Sequence, residues 1–311
     1  MYIHSLLFST KTISLLFAAV PGALALDIPS NVKTFYDSLK AKGKCDKALA
    51  TGFYNSQFEQ GDMSYCGDHL DDYGVVYLQG PGKFSNMDVD CDGAPNMSNG
   101  DTRCEGGAGT TVYATAIQPI IAGYNIGIND INTFDHSFVV FGNTGKPEEW
   151  PTFDPRTYGV SKASVMAVVC GDKMFYGVWG DTNGPGVRPS VGEVSLSLAT
   201  ACYGQSMSGG SETGSSHDDP DVLYIAFTGT DAVPGATGAD WTADNFDDFH
   251  KSIVSLGDKL VKRIGGNNTG DGDDNTCTWI GHCLGASCAT AQDCSDDYIC
   301  TDGKCATKSS T

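Results

Sequence analysis

Hydrophobic residues recur every three or four positions in two segments of the chain, and each segment predicts a helix. In the first, Val32, Phe35 and Leu39 share one helical face. Ser30 is the expected N-cap of this helix, and Gly43 is expected to end it. The apolar stripe predicts that one face of the helix packs on a core.

The second helical pattern lies near the end of the main domain and is better defined. Its apolar positions are Phe246, Phe249, Ile253, Leu256, Leu260 and Ile264. Asp247 and Asp248 lie early in this segment and Lys259 and Lys262 lie late, which complements the helix dipole. Gly265 and Gly266 follow and are expected to end the helix.

Between these segments the pattern changes to short apolar runs separated by Gly, Asn, Asp and Pro. The runs cover residues 75–78, 112–117, 138–141, 165–169, 174–179 and 223–227. They predict a mainly β domain with flanking helices, either a compact barrel or a sandwich, and periodicity does not choose between the two. Residues 204–221 are small and polar, and predict a mobile surface excursion rather than a strand.

The first 25 residues have the features of a secretory signal peptide. Lys11 precedes an apolar run at 13–20, and the small residues Ala23 and Ala25 suit cleavage after Ala25. The run is too short to span a bilayer. The mature chain is therefore expected to be secreted and extracellular, with no membrane association.

Cysteine usage fits the same compartment. All twelve cysteines lie beyond residue 25, and an even number permits complete pairing in an oxidising environment. The sequons at Asn96 and Asn267 predict a glycoprotein, because the chain is expected to be secreted.

The cysteine spacing divides the chain into a main domain at 26–264, a flexible linker at 265–276 and a small module at 277–305. The module contains Cys277, Cys283, Cys288, Cys294, Cys300 and Cys305. It has no C-x-x-C pair, so disulfides are expected rather than zinc, with the pairing open. Trp279 and Tyr298 suit a sugar-binding face, but a functionally quiet cap fits the module equally well.

Acidic residues outnumber basic ones by 38 to 19, and the formal net charge is −19. Repulsion makes nucleic acid an unsuitable partner, whereas a polycation would be attracted, with an attraction that salt weakens. An acidic composition also serves solubility alone, so charge by itself does not identify a ligand.

Two acids, Asp181 and Glu193, stand on either side of a Gly/Pro-rich turn. Paired carboxyls are the groups that glycosidic bond cleavage requires, one as the acid for the leaving oxygen and one to activate water or attack the sugar. The structural alternatives are a helix capping box from Ser190 to Glu193 and an ordinary Asp turn at Asp181. The spacing alone favours these alternatives.

The segments around this pair resemble the fungal chitosanases of glycoside hydrolase family 75. The resemblance is carried by GVWGDTNG (177–184), VGEVSLSLATAC (191–202), NMDVDCDGA (86–94), FVVFGN (138–143) and VLYIAFTG (222–229). In that family an Asp and a downstream Glu are the essential acids, and they match Asp181 and Glu193. The resemblance implies a six-stranded double-psi β-barrel, and endo-hydrolysis, by inversion, of chitosan, the β-1,4-linked polymer of glucosamine.

Local sequence suggests how the two acids divide the work. Glu193 lies among the apolar residues Val191 and Val194, so burial is expected to raise its pKa and keep it protonated as the general acid. Asp181 is expected to lie in a polar loop, ionised, as the base that activates water.

The acidic motif at Asp88, Asp90 and Asp92 is expected to contact ammonium groups of the substrate. A tight Asp-rich turn beside a disulfide is the structural alternative for at least one of the three. An EF-hand is rejected, because Asn99 replaces the bidentate Glu and Cys91 is expected to form a disulfide. Neither a metal nor another cofactor is therefore expected.

Tyr176, Trp179 and Asn183 complete the predicted substrate-binding set. The two aromatic rings suit stacking on sugars, although an aromatic residue in a β run is more often part of the core.

Two other functions are consistent with a secreted β protein of this composition. One is a cell-wall glycan-binding protein without catalysis, and the other is a hydrolase of neutral β-glucans. The acid pair argues against the first, and the acidic composition argues against the second. We expect the chain to act as a monomer.

Overall fold

The computed structural model describes residues 26–55, 60–93, 100–104, 113–144, 150–184, 188–209, 214–266, 288, 290, 298–301 and 303–307. The predicted signal peptide, both sequons, most of the linker and much of the cysteine module lie outside the described residues.

Four α-helices are present in the described part of the chain. They are α1 (Ser30–Lys42), α2 (Gln118–Gly123), α3 (Leu196–Tyr203) and α4 (Phe246–Val261). The first predicted helix is confirmed with its buried face, but Ser30 is its first residue rather than its cap, since Pro29 occupies the cap position. Gly43 ends α1 in the left-handed conformation, at φ 82°.

Twelve strands are described: β1 (Leu26–Asp27), β2 (Ala48–Phe53), β3 (Met63–Cys66), β4 (Val75–Gln79), β5 (Ser85–Asp90), β6 (Phe138–Asn143), β7 (Val165–Cys170), β8 (Lys173–Asn183), β9 (Glu193–Ser195), β10 (His217–Phe227), β11 (Tyr298–Thr301) and β12 (Lys304–Thr307). Two expectations are wrong. Residues 113–117 lie outside any strand, with a turn at 116–117, and β10 begins at His217, inside the predicted polar excursion.

Six of the strands pair in a continuous circuit. β8 pairs with β6, β6 with β9, β9 with β5, β5 with β10, β10 with β7, and β7 with β8. The β5–β9 and β6–β8 pairs are parallel and the others are antiparallel. The mainly β class with flanking helices is confirmed.

Alternating side chains divide this sheet into two apolar faces. On β7, Val165, Ala167 and Val169 face the cluster that includes α1 and α4, whereas Met166 and Val168 belong to the other cluster. β8 and β10 alternate in the same way. Each of these strands therefore contributes to two cores, which explains why they read as unbroken apolar runs.

Helix α4 covers the first of these faces. Asn245 caps it through a 2.9 Å hydrogen bond from the Asp248 amide, and Phe249, Ile253 and Leu260 are buried.

Disulfides fasten the described segments at Cys45–Cys66, Cys91–Cys104, Cys170–Cys202 and Cys288–Cys300. Cys305 is also disulfide-bonded, and no described cysteine is free. In the C-terminal module β11 pairs with β12. The described cysteines of this module are thus committed to disulfides, as the spacing predicted. Among the described helices, none has the length and apolar character that a bilayer crossing requires.

Gly257 on α4 lies directly over the Tyr176 ring, and a Cβ there would approach ring carbons to 2.5 Å. Alanine is the better helix former by about 1 kcal/mol, but overpacking a core costs about 1–3 kcal/mol. We expect Gly257→Ala to lower the free energy of unfolding by about 1–2 kcal/mol in urea denaturation.

Gly123→Ala is the matched control, because a Cβ at this helical glycine meets nothing within 4 Å. It should be neutral or stabilising. A gain at Gly257 equal to that at Gly123 would show that α4 does not press on Tyr176.

Candidate active site

Strand β6 brings the two predicted acids to one region of the sheet. It pairs with β8 on one side, with Val140 opposite Asp181, and with β9 on the other, with Val139 opposite Val194. Glu193, the residue before Val194, begins β9. The acids therefore stand on the two strands that flank β6, although twelve positions separate them in the sequence.

Asp181 lies near the end of β8, not in a polar loop, and its exposure is only 7%. Its Oδ1 accepts hydrogen bonds from the amides of Ala116, at 2.9 Å, and Thr182, at 2.6 Å. Burial nevertheless dominates and, with the neighbouring Asp92 charge, raises the pKa of Asp181 to about 7. The expected polar surroundings of Asp181 are therefore a wrong prediction.

Glu193 is the partly buried first residue of β9. Burial raises its pKa to about 7, and the neighbouring charge of Asp88 acts in the same direction. The raised pKa agrees with the expectation for a general acid.

The capping-box alternative does not fit the structure. Glu193 is in a strand, and the helix that follows it, α3, is capped by Ser195, whose Oγ accepts from the Leu198 amide at 3.3 Å. Glu193 is therefore not held in place as a helix cap.

Asn183 positions Glu193. Its Nδ2 donates to Glu193 Oε2 at 2.9 Å and to the Ser190 carbonyl, also at 2.9 Å. Ser190 belongs to the segment that leads into β9, and its carbonyl also accepts from Asn143 at 3.2 Å. The amide of Asn183 therefore holds the Glu193 carboxyl group, and its contact with a substrate stays a prediction.

The Asp-rich motif lies beside both acids. β5 runs parallel to β9, so Asp88 is paired with Glu193 in register. One oxygen each of Asp90, Asp92 and Asp181 lies within 4.8 Å of the others. Either a shared proton or a bound cation would neutralise oxygens placed in this way.

The same motif is also a turn beside a disulfide, as the structural alternative proposed. The Asp92 amide donates to Asp90 Oδ1 at 2.9 Å, and Cys91 is bonded to Cys104. Asp90 Oδ2 is buried with no hydrogen-bond partner among the described residues. Burial and the nearby Asp181 charge raise the pKa of Asp90 well above its ordinary value.

Tyr176 and Trp179 are predicted site residues whose rings the structure buries in the core. Tyr176 is 0% exposed under α4 and donates to Asp258 at 2.9 Å. Trp179 is 1% exposed, and its Nε1 donates to the Asp181 carbonyl at 2.9 Å. Both rings are core residues, because strand alternation turns each of them into one of the two apolar clusters, and neither offers a face to a sugar.

Sequence reasoning missed the turn at 113–117 and its partner Asp130. Ala116 supplies an amide to Asp181, and Thr115 donates to Asp130 through both its amide, at 2.9 Å, and its hydroxyl, at 2.5 Å. Lys162 Nζ donates to the Ala116 carbonyl at 2.7 Å. The apolar letters of this segment suggested a strand, and no local motif signals the contact with Asp181.

Raised carboxyl pKa values make a testable statement about stability. A carboxyl whose pKa is higher in the folded chain contributes stability that is complete below its unfolded value and is lost as pH rises through its folded value. For Asp181 and Glu193, whose pKa values in the folded chain are about 7, this contribution to stability is lost between about pH 4 and 8.

We therefore expect a double variant, Asp181→Asn with Glu193→Gln, to gain stability relative to the native chain between pH 5 and pH 8. The gain should be on the order of 3 kcal/mol in urea denaturation. Asp101→Asn is the control, because Arg103 lowers the pKa of Asp101 and its effect falls at more acidic pH. If the free energies of unfolding of the double variant and the native chain changed with pH in parallel, the pKa values of these two carboxyls would not be raised in the folded chain.

Comparisons with known proteins identify the family of the chain. The family described as fungal chitosanase of glycosyl hydrolase group 75 matches residues 87–263, a range that contains Asp88, Asp181 and Glu193. An endo-chitosanase of Aspergillus oryzae is 42% identical over 248 residues, covering 78% of this chain and 94% of that protein. An endo-chitosanase of Aspergillus fumigatus is 44% identical over 245 residues, with the same coverage of both chains. The chain therefore belongs to the fungal chitosanases of glycosyl hydrolase group 75 and is a glycoside hydrolase.

Proposed function

We propose that this enzyme is an endo-chitosanase that hydrolyses β-1,4 linkages between glucosamine residues of chitosan, using Asp181 and Glu193. The observation that carries the proposal is the placement of these two acids on the strands flanking β6, within a cluster of further carboxylates. The names of the relatives, all endo-chitosanases, support the substrate.

Glu193 acts as the general acid. Its raised pKa keeps the proton available near neutral pH, and the Asn183 amide fixes Oε2. The proton on the carboxyl group is then directed to the leaving glycosidic oxygen. As that bond breaks, Glu193 becomes a carboxylate.

Asp181 acts as the base. Two backbone amides donate to its Oδ1, which holds the carboxylate in position and favours the ionised form against the effect of burial. The carboxylate takes a proton from water as the water oxygen bonds to the anomeric carbon. Attack by water and departure of the leaving sugar occur in one step, which inverts the anomeric centre.

The remaining acids bind the substrate through its charge. Asp88, Asp90 and Asp92 lie beside the acid pair, so an ammonium group of glucosamine in the site meets carboxylates on the β5 side. Charge-assisted hydrogen bonds to these groups would be stronger than those to a neutral sugar. A net charge of −19 also draws a cationic polymer toward the enzyme.

The continuous circuit formed by the six strands β5, β6, β7, β8, β9 and β10 supports a six-stranded double-psi β-barrel for the catalytic domain at 26–264. Residues 1–25 serve as a signal for secretion, a proposal that the disulfides of the described residues support. We propose that the secreted enzyme acts as a monomer, without a cofactor, and that the module at 277–305 is a separate disulfide-stapled unit.

Reducing-end release from chitosan tests the two acids directly. We expect Asp181→Asn and Glu193→Gln each to lower kcat by at least about 100-fold, because each keeps the shape of the side chain and removes a proton-transfer group. KM should change much less. The thermal unfolding midpoint of each variant shows whether the fold is retained.

Asp258→Asn is the matched control, since it removes a carboxylate that accepts from Tyr176 on the α4 side of the sheet. It should leave kcat within about two-fold of the native value. Full activity in either acid variant would remove that residue from the mechanism. Binding of chitosan without cleavage by the native chain would favour the glycan-binding function, and cleavage of a neutral glucan would favour the other hydrolase.

The stereochemistry of the product tests the single-step mechanism. Inversion at a β linkage releases the α anomer first, whereas a covalent intermediate would release the β anomer. Proton NMR of chitosan oligomers during the first minutes of hydrolysis separates the two, because mutarotation is slower than a fast enzymatic reaction. We expect the α anomer, and an initial β product would mean that one acid is a nucleophile.

A further inference from the structure

The carboxyl groups of Asp92 and Asp181 are close neighbours, with one oxygen of each within 4.8 Å of the other. An ionised carboxyl group accepts hydrogen bonds but has none to donate. Two carboxyls can therefore be joined only when one of them is protonated. A proton held between them would connect a residue of the Asp-rich turn to the proposed base.

The position of Asp92 is set independently of Asp181. Its Oδ1 accepts from the Tyr113 amide at 2.8 Å, and the Gly93 amide donates to the Tyr113 carbonyl at 2.8 Å. The neighbouring Cys91 is tied to Cys104. Gly93 adopts φ +78°, and a Cβ there would overlap the Ile131 carbonyl oxygen. The backbone at Gly93 therefore packs closely against the segment that contains Ile131.

Asp181 is equally constrained from its own side. The amides of Ala116 and Thr182 both donate to Oδ1 of Asp181, so neither of them donates to Oδ2. The two carboxyls are thus fixed by separate backbone donors, one set on the Asp92 turn and one around β8. Thermal relaxation of a single side chain would not separate them.

The charged groups around the pair are mostly of one sign. Asp90 ends β5, Glu193 begins the neighbouring strand β9, and Asp130 lies near Asp92. Within the described part of the chain, Lys162 is a cation bonded to this region, and it donates to the Ala116 carbonyl rather than to a carboxylate. Loss of the shared proton therefore leaves two adjacent negative charges in acidic surroundings, which is unfavourable unless a cation or a proton arrives.

We propose that Asp92 is a positioning residue for the reaction, which shares the proton of Asp181 and strengthens Asp181 as a base. This inference rests on the proposed function, in which Asp181 accepts a proton from the attacking water. In the active state both carboxyls are ionised and repel each other. When the O–H bond of water breaks and its oxygen bonds to the anomeric carbon, the proton enters the Asp92–Asp181 pair and relieves that repulsion, while the Glu193 proton leaves with the departing sugar.

The pH profile of kcat/KM tests the inference with Asp92→Asn, an isosteric change. An amide removes the repelling charge and can donate to Asp181, so the base stays ionised at lower pH but accepts a proton less readily. We expect the acid limb to move to lower pH by about one unit or more and kcat to fall by about 10-fold. Both chains meet the same substrate, so titration of the substrate amine cancels in the comparison.

Asp88→Asn provides the contrast within the same site. Among the charges that raise the pKa of Glu193, that of Asp88 acts most strongly, ahead of Asp181 and Asp92, so its removal should move the alkaline limb to lower pH and leave the acid limb in place. Asp92→Glu keeps a carboxyl group and should return the acid limb toward its native position.

An acid limb that stays in its native place in Asp92→Asn would overturn the inference, whatever activity remains. If that variant is too weakly active for a profile, carboxyl ¹³C NMR titration of the folded chains measures Asp181 directly, and an unchanged Asp181 titration would overturn it equally. Failure of the proposed function is separate, since it would show as activity in Asp181→Asn.

Discussion

The structure depends on one constraint, which is the complete burial of strand β6. All six residues from Phe138 to Asn143 are buried, so their backbone amides and carbonyls must find partners inside the protein. β8 supplies them on one side and β9 on the other. Because β8 ends and β9 begins beside β6, Asp181 and Glu193 are delivered to the same region. The pairing that completes the core therefore also assembles the acid pair.

The clustering of acids in this region lowers the stability of the folded chain and raises the pKa values of several carboxyl groups. Asp90, Asp181 and Glu193 all have raised pKa values, chiefly because of burial and because they lie near one another. A protein selected for stability alone would separate such groups or pair them with cations. This glycoside hydrolase instead keeps the cluster together, as proteins do where function outweighs stability. The surrounding backbone amides and disulfides hold this unfavourable arrangement in place.

Local patterns predicted those parts of the fold that local physics controls. The apolar stripe of α4, the buried face of α1 and most strands follow from side-chain periodicity and helix-end chemistry. The structure of residues 113–117 was not predicted correctly. Their apolar residues are typical of a strand, but the segment instead places the Ala116 amide against Asp181. Tyr176 and Trp179 were assigned to the substrate, but a sheet with a core on each face buries aromatics on both sides. Ser190 and Glu193 matched a capping box whose helix begins instead after Ser195.

The amino-acid sequence alone predicts the mainly β class, the two long amphipathic helices, the disulfides of the described cysteines and, through its motifs, the family; the roles of Asp181 and Glu193 stay a prediction. Tertiary contacts set the burial of Asp181, the hydrogen bond from Asn183 to Glu193, and the approach of Asp92 to within 4.8 Å of Asp181. These are contacts between residues far apart in the chain, and their geometry is set by strand pairing and burial. No local pattern carries that information, because a carboxyl group acquires its pKa from neighbours that the fold brings to it.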